Sequence, residues 1–226
     1  MNEAPISGAR RADSAVTLSA RIDHLVLACA DLAQGAAHVR ARLGVEVQPG
    51  GRHLLMGTHN ALLRLGPRTY LELIAIDPEG TAQRPRWFGL DTPAVRERMA
   101  RGPFLLTWVA ACNDAAAAAA LDPRFGEVIA ASRGAFSWRI TVPTDGRLAC
   151  GGAMPTLIQW NGDTHPCDGL ADAGCVLGEL ALRHPDAPAL ERLLASLQLQ
   201  GPVVLGPGEA ALAARIGTPR GLVELA

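Results

Sequence analysis

The sequence predicts an α+β fold of three repeated β-α-β-β-β units that pair into a half-open, mixed-sheet barrel. One observation behind this prediction is an internal repeat: the segment 22–28, closed by Asp31, matches the segment 177–183, closed by Asp186. A second is that each predicted first strand is followed by a polar cap and a helix-forming segment. Repeats of roughly fifty residues each correspond to one supersecondary unit that buries its apolar face against its neighbour.

The repeat also places polar side chains at matching positions inside apolar strands. The segments 64–66 and 71–73 match the segments 215–217 and 223–225. The matched polar residues are His24 with Glu179, and Glu72 with Glu224. A polar group within a buried strand needs a hydrogen-bonding partner or a chemical role, since burying it alone is costly.

The first unit is predicted over residues 21–77. A leucine-rich strand over 22–29 leads to Asp31, the expected N-cap of a helix, and Gly44 supplies the left-handed stop. Three strands are predicted to complete the unit, at 52–56, 60–65 and 69–76.

The second and third units are predicted over 104–163 and 176–226. The second unit contains an alanine-rich helix capped by Asn113 or Asp114 and stopped before Pro123. The predicted strands are 104–111, 126–132, 136–142 and 153–160 in the second unit, and 177–183, 202–205, 210–216 and 221–225 in the third, which has its helix at 187–197.

The remaining segments are predicted to be connections. Residues 1–20 are expected to form a disordered lead, because they are rich in small and polar residues. The proline-rich stretch 78–103 is a long crossover between the first two units, and 161–175 links the second unit to the third.

Composition limits the partners of the chain. The 226 residues carry a formal net charge of −1, which gives no reason to expect nucleic acid or an anionic membrane surface. No apolar run is long enough to span a bilayer. The five cysteines are odd in number and form no Cys-x-x-Cys pair, which favours reduced thiols and a cytoplasmic protein.

Strand alternation predicts which residues of the first unit share a face. On the first strand Ile22, His24, Val26 and Ala28 fall on one side, and Asp23, Leu25 and Leu27 on the other. Imidazole and carboxylate on neighbouring strands, as at His24 and Glu72, are ligands for a divalent first-row metal. A buried, hydrogen-bonded His–Glu pair without metal satisfies the same physics, so both interpretations stay open.

Several short motifs resemble the vicinal oxygen chelate superfamily, and more closely its glyoxalase-like proteins. They are DHLV at 23–26, GTHNAL at 57–62, YLE at 70–72, SWR at 137–139, and IQW at 158–160 with HP at 165–166. The resemblance covers about residues 21–166 as one glyoxalase-like domain, with the third unit as a C-terminal extension. It implies a fold of the glyoxalase/bleomycin-resistance type.

The resemblance also implies a cleft in which a divalent metal binds two oxygens of a substrate. Family ligands lie on the first and last strands of two paired units, and His24 and Glu72 match those of the first. If consecutive units pair, the other positions are Thr107, a poor ligand, and Gln159; if the third unit pairs with the first, they are Glu179 and Glu224. The metal would be Zn, Ni, Fe or Mn, and a metal-free protein is equally compatible with the sequence.

Further residues are candidates for contact with a substrate. Polar side chains follow the Gly50-Gly51 turn and precede an apolar strand, and tryptophans of the second unit suggest an aromatic wall. The predicted substrate-binding residues are Arg52, His53, Thr58, Asn60, Trp108, Trp138 and Gln159. Glu72, or a loosely held carboxylate such as Glu224, is the predicted catalytic group that moves a proton.

These observations favour a glyoxalase-like protein that binds a small oxygen-bearing molecule. The expected chemistry is a metal-assisted isomerase, lyase or dioxygenase reaction. The alternative is a metal-free protein that binds or sequesters a small molecule, in the manner of bleomycin-resistance proteins. A homodimer through the unpaired edge of the third unit is a further expectation.

Overall fold

The computed structural model describes residues 17–226, which form two β-sheets and four α-helices. Of the predicted disordered lead, residues 1–16 lie outside the described residues. The following residues run beside the second unit: the backbone N–H of Ser19 donates to Asn113 Oδ1, and Asn113 Nδ2 donates to the carbonyl of Thr17.

The first unit has the predicted element order. Asp31 caps its helix by accepting from the backbone N–H of Gln34 at 2.8 Å. Gly44, with φ of 75°, ends the helix in the left-handed conformation, as predicted. Its elements are β1 (Ala20–Ala28), α1 (Leu32–Leu43), β2 (Gln48–His53), β3 (Thr58–Arg64) and β4 (Tyr70–Ile76).

The crossover and the second unit follow. The crossover contains a helix that the sequence analysis did not predict, which begins at Pro93 after the Thr92 cap. The elements are α2 (Pro93–Arg101), β5 (Phe104–Cys112), α3 (Ala115–Ala119), β6 (Glu127–Arg133), β7 (Phe136–Val142) and β8 (Thr156–Trp160).

The remaining elements form the third unit and its connections. They are β9 (Val176–His184), α4 (Ala187–Ser196), β10 (Leu199–Gln200), β11 (Val203–Pro207), β12 (Ala211–Thr218) and β13 (Gly221–Leu225). None of the helices in residues 17–226 is long and apolar enough to cross a membrane. All five cysteines are free thiols.

The first two units pair consecutively into one curled sheet. Its strand order is β2-β3-β4-β1-β5-β8-β7-β6, with the antiparallel β1–β5 pair as the seam. Each unit places its last strand parallel to its first, β4 beside β1 and β8 beside β5. Arg133, at the end of β6, donates to Asn60 on β3 at 2.7 Å, so opposite arms of the half-barrel meet across its hollow.

The third unit repeats the element order of the others but not their strand order. Its sheet runs β11-β9-β12-β13, so its last strand lies two strands away from its first, whereas β4 lies directly beside β1. The unit covers the outer face of the half-barrel: Leu180 and Leu182 join the outer cluster, the buried core that also contains Leu25 and Leu27. The half-barrel therefore consists of the first two units, apart from the two-residue β10, which pairs in parallel with the beginning of β1.

A β-bulge at the start of β1 changes the predicted faces. The register with β5 slips between Ile22 and His24. Ile22 consequently belongs to the outer cluster, while Val26 and Ala28 belong to the inner cluster that faces the hollow. The alternation prediction was therefore wrong for Ile22, because the extra residue of a bulge re-aims the side chains on either side of it.

The third unit and the half-barrel share one core and should unfold together. We expect Leu180→Ala to lower the free energy of unfolding by about 2–5 kcal/mol, because Leu180 is fully buried and its loss leaves a cavity. Denaturant titration followed by tryptophan fluorescence tests this, since all four tryptophans, Trp87, Trp108, Trp138 and Trp160, lie in the first 160 residues.

The matched control is Leu222→Ala in the same unit, where the leucine is 71% exposed. That variant should change the free energy of unfolding by no more than about 0.5 kcal/mol. If Leu180→Ala leaves the unfolding transition detected by tryptophan fluorescence unchanged, the third unit folds as a separate body.

Candidate active site

The hollow between the first two units contains a small polar cavity. Its volume is about 20 Å³, which is room for about one water molecule. The unit-one strands contribute the polar side chains, and the second unit and the crossover contribute most of the aromatic wall. The lining residues are His24, His53, Asn60, Tyr70, Glu72, Trp87, Phe88, Arg133, Trp138, Ile140, Ile158 and Trp160.

A buried carboxylate, Asp23, lies behind this cavity and accepts three hydrogen bonds. His24 Nδ1 lies 2.7 Å from its Oδ1, while Trp160 Nε1 at 2.9 Å and His165 Nε2 at 3.1 Å reach its Oδ2. Burial alone would raise the pKa of Asp23, but the hydrogen bonds from His165 and His24 hold the pKa well below its usual range. Asp23 is therefore an anion that fixes two imidazoles and an indole.

The hydrogen bonds assign the tautomers of both imidazoles. The backbone N–H of Cys167 donates to His165 Nδ1 at 3.2 Å, so the proton of neutral His165 is on Nε2 and points to Asp23. His24 donates from Nδ1 to the same carboxylate. The Nε2 lone pair of neutral His24 is therefore free, and it faces Glu72 Oε2 at 3.5 Å.

Glu72 is held in place from its other oxygen. Asn60 Nδ2 donates to Glu72 Oε1 at 2.5 Å, and Asn60 Oδ1 in turn accepts from Arg133 at 2.7 Å and from the backbone N–H of Gly51 at 2.9 Å. A Cβ at Gly50 would lie 2.0 Å from Asn60 Oδ1, so the glycine turn permits this close approach. Asn60 thus links the carboxylate of the first unit to a cation of the second.

His53 is the second imidazole at the cavity. Its Nδ1 pairs with Thr58 Oγ1 at 3.1 Å, and its Nε2 lies 3.5 Å from Asn60 Nδ2 and 4.0 Å from Glu72 Oε1. Burial lowers the pKa of His53 to about 4, which outweighs the opposing charge of Glu72. His53 is therefore neutral at pH 7.

Aromatic rings surround these groups. Tyr70 stacks on His24 with 4.6 Å between ring centroids, and burial raises the pKa of Tyr70 well above its usual range, so the phenol stays protonated. Trp87 lies edge-on to His53 at 5.0 Å. The buried Nε1 atoms of Trp87 and Trp138 have no hydrogen-bond partner among residues 17–226, and Phe88 adopts a left-handed backbone with φ of 59°.

Five of the predicted site residues line this cavity, and a sixth lies directly behind it. Thr58 does not face the hollow but orients His53 through its hydroxyl. The five that share the cavity are His24, His53, Asn60, Glu72 and Trp138.

Two residues of the second unit were predicted at the cleft and lie elsewhere. Trp108 is fully buried in the outer cluster, where its Nε1 donates to the carbonyl of Ala153. Gln159 caps α3: its Oε1 accepts from the backbone N–H of Ala115 at 3.0 Å. Thr107, at the remaining family ligand position, donates to the carbonyl of Gly152. The second unit therefore brings no ligand from these positions.

Arg52 also lies away from the cavity. Its side chain is half exposed and forms ion pairs with Asp77, at 2.9 Å, and with Glu79. A guanidinium already paired with two carboxylates is not free to hold an anionic substrate. The prediction that Arg52 grips the substrate is thus not supported by its position.

Glu179 and Glu224 form no metal set with His24 and Glu72. Both flank the partly exposed Arg215, each at 3.5 Å, within the sheet of the third unit. The reason is topological, because the third unit pairs its strands in a different order and covers the outer face of the half-barrel. The predicted role of Glu224 in proton transfer is therefore wrong for this cavity. The metal-binding role predicted for Glu179 and Glu224, which required the third unit to pair with the first, is also wrong.

The sequence analysis did not predict Asp23, His165 or Arg133 as site residues. Alternation placed Asp23 on the opposite face, and only the bulge brings it beside His24. His165 begins a short helical turn whose Asp168 accepts from its backbone N–H, a capping pattern that the sequence does contain. Arg133 reaches the cavity from the far edge of the sheet, and no local signal marks it.

The donor atoms do not fit a divalent metal bound by three or four side chains. His24 Nε2 and Glu72 Oε2 are two free donors, whereas catalytic zinc and facial iron sites use three protein ligands. The nearest third donor, His53 Nε2, faces the amide of Asn60. Across the described part of the chain, no three His, Cys, Asp or Glu side chains group closely enough to hold a metal ion.

Comparison with known structures supports the fold. A hypothetical protein from Staphylococcus aureus is 14% identical, with a TM-score of 0.58, over 84% of this chain and 86% of that chain. A methylmalonyl-CoA epimerase variant from Streptomyces coelicolor in complex with 2-nitronate-propionyl-CoA is 25% identical, with a TM-score of 0.43, over 66% of this chain and 99% of that one. The comparison with curated proteins found no match.

A family model matches more than half of the chain. The glyoxalase-like domain matches residues 22–198, which include both units of the half-barrel and reach through α4. The curled mixed sheet of paired units agrees with this assignment. The chain therefore belongs to the glyoxalase-like domain family.

Proposed function

We propose that the chain binds a small carbonyl- or carboxylate-bearing molecule in the central cavity, which must widen beyond its one-water volume to admit it, and transfers a proton on it. The observation that carries this proposal is the pair His24 Nε2 and Glu72 Oε2, which face each other at 3.5 Å in a buried cavity. Each group is fixed from behind, His24 by Asp23 and Glu72 by Asn60. The two groups thus form an acid–base pair that lines the cavity.

The geometry of the pair suits proton transfer, since His24 Nε2 and Glu72 Oε2 face each other within a buried cavity. Such a pair can accept a proton from a carbon next to a carbonyl and return it from the other member. Asp23 keeps the proton of His24 on Nδ1 and stabilises the imidazolium that forms, as a buried carboxylate does for a catalytic histidine.

Two unpaired N–H donors on residues that line the cavity favour a substrate with acceptor oxygens. Trp87 Nε1 and Trp138 Nε1 are buried and unpaired within residues 17–226, and a buried N–H without a partner costs about 1–3 kcal/mol. A substrate oxygen would satisfy these donors and gain stabilisation as negative charge develops on it. Arg133, which donates to Asn60, adds positive charge to the lining of the cavity.

No step of this proposal passes through a metal. The second unit supplies no ligand at Thr107 or Gln159, and the third unit supplies none at Glu179 or Glu224. Zn, Ni, Fe or Mn would therefore find only two free protein donors. A proton requires no further ligand, which is why proton transfer fits this donor set better.

Sequestration without chemistry is the second candidate, favoured by the aromatic wall. Trp138 and Trp160 lie 5.4 Å apart, and Trp160 lies edge-on to His165. A sequestered guest would quench tryptophan fluorescence without exchanging its protons. A homodimer and a cytoplasmic location stay predictions.

Proton transfer is tested by deuterium exchange. We expect the chain to catalyse incorporation of deuterium next to the carbonyl of at least one member of a panel of small 2-keto and 2-hydroxy acids in D2O, followed by proton NMR. Glu72→Gln and His24→Gln should each slow this exchange by about 10²–10⁴-fold, because each removes one proton-transfer group.

Glu79→Gln is the matched control, because this carboxylate is exposed and lies outside the cavity. It should leave the exchange rate unchanged. A panel member could instead quench tryptophan fluorescence while its deuterium exchange is equally slow with and without the wild-type chain. That result would favour sequestration and contradict proton transfer.

Metal content is tested separately. Protein purified without chelator should contain well under one equivalent of Zn, Ni, Fe or Mn by mass spectrometry, and EDTA treatment should leave deuterium exchange unchanged. The physical reason is that two protein donors hold a divalent metal weakly. Stoichiometric metal that disappears in His24→Ala would contradict the metal-free proposal.

The neutral state of His53 predicts a pH dependence of stability. The pKa of His53 is about 4 in the folded chain against 6.5 in the unfolded chain, so between these values the unfolded state binds a proton that the folded state does not. We expect the free energy of unfolding to fall by about 2 kcal/mol from pH 7 to pH 5. Denaturant titrations at both pH values measure this difference.

His53→Gln should remove most of that difference. A smaller slope should persist from His38, whose pKa burial also lowers, while Asp23 contributes only below its ordinary pKa of 3.8. An unchanged slope in His53→Gln would show that other groups govern acid sensitivity.

A further inference from the structure

A second and larger cavity lies where the crossover, the half-barrel and the third unit meet. Its volume is about 750 Å³. Helix α2, the beginning of β5, the turn at 147–151 and the beginning of β12 form its walls. It shares no lining residue with the cavity that contains His24 and Glu72.

The floor of this second cavity is apolar. Phe104, Leu106 and Leu212 are buried there, with Val95 and Leu148 partly buried beside them. Its volume falls within the range of about 300–1,000 Å³ that small-molecule sites occupy, and such sites favour junctions between structural units. An alkyl chain or another apolar body would bury its surface on this floor.

Two arginines border the cavity. The Arg98 guanidinium lies 3.9 Å from the centroid of the Phe104 ring, and it has no carboxylate partner among residues 17–226. Arg147 is 73% exposed at its side chain and only weakly paired, 3.7 Å from Asp145. The border therefore presents two guanidinium groups that are available to an anion.

We propose that this cavity binds an amphipathic anion, an alkyl carboxylate whose chain lies against Phe104, Leu106 and Leu212. The carboxylate would pair with Arg98 and Arg147. The two parts of the ligand match two kinds of lining, namely apolar side chains such as Phe104, Leu106 and Leu212, and the guanidinium groups of Arg98 and Arg147. The site is independent of the proton-transfer cavity.

The experiment is calorimetric titration of the full chain with decanoate below its micelle concentration, with decanol as the uncharged probe of equal length. We expect one saturable decanoate site per chain. Arg98→Gln and Arg147→Gln should each weaken decanoate binding at least about tenfold while leaving decanol binding unchanged, because each removes a charge-assisted hydrogen bond.

A substitution that fills the cavity provides a second test of the proposal. Ala94 is an exposed residue of α2 that lines the cavity, so Ala94→Trp should abolish binding of both probes without disturbing the core. Ala100→Trp is the matched control, since Ala100 is exposed on the same helix and does not line the cavity. It should bind decanoate as the wild-type chain does.

Several results would overturn the proposal: no saturable binding of decanoate, equal binding by Ala94→Trp, or a decanoate-to-decanol affinity ratio that neither arginine substitution changes. A ligand-free dimer in light scattering that Ala94→Trp abolishes would assign the cavity to a second copy of the chain instead. His24→Gln should retain decanoate binding, which keeps this test separate from that of the central cavity.

Discussion

The fully buried carboxylate of Asp23 is the constraint on which the geometry of the candidate site depends. An isolated anion in the interior would cost several kcal/mol. The chain offsets that cost with donors from three places, namely His24 beside it on β1, Trp160 at the end of β8, and His165 in the following loop. The same hydrogen bonds therefore join the two units across their seam and fix the imidazole that faces the cavity.

The two units of the half-barrel contribute different kinds of side chain to the cavity. They share a strand order, yet the first contributes His24, His53 and Glu72, while the second contributes aromatic walls and Arg133. At the positions where a symmetric metal site would need ligands, Thr107 and Gln159 turn to backbone partners outside the hollow. The two units therefore repeat the strand order but not the functional side chains.

The half-barrel could be predicted from the sequence because its helix caps, helix stops and strand alternation each involve residues only a few positions apart. Asp31, Gly44 and the alternation of β4 act within a few residues, and they marked the elements and the placement of Glu72. The strand order of the third unit depends on packing over a large distance along the chain, so its matching sequence was misleading for Glu179 and Glu224. The bulge that turns Asp23 inward arises from pairing with β5 and leaves no mark in the alternation.

The two histidines of the cavity have different surroundings. His24 lies between two carboxylates, Asp23 at 2.7 Å and Glu72 at 3.5 Å. His53 lies 4.0 Å from Glu72, and its burial, together with the charge of Arg133, lowers its pKa, so His53 is neutral at pH 7. The proposed proton transfer therefore uses His24, whose Nε2 faces Glu72, while His53 contributes an uncharged wall beside it.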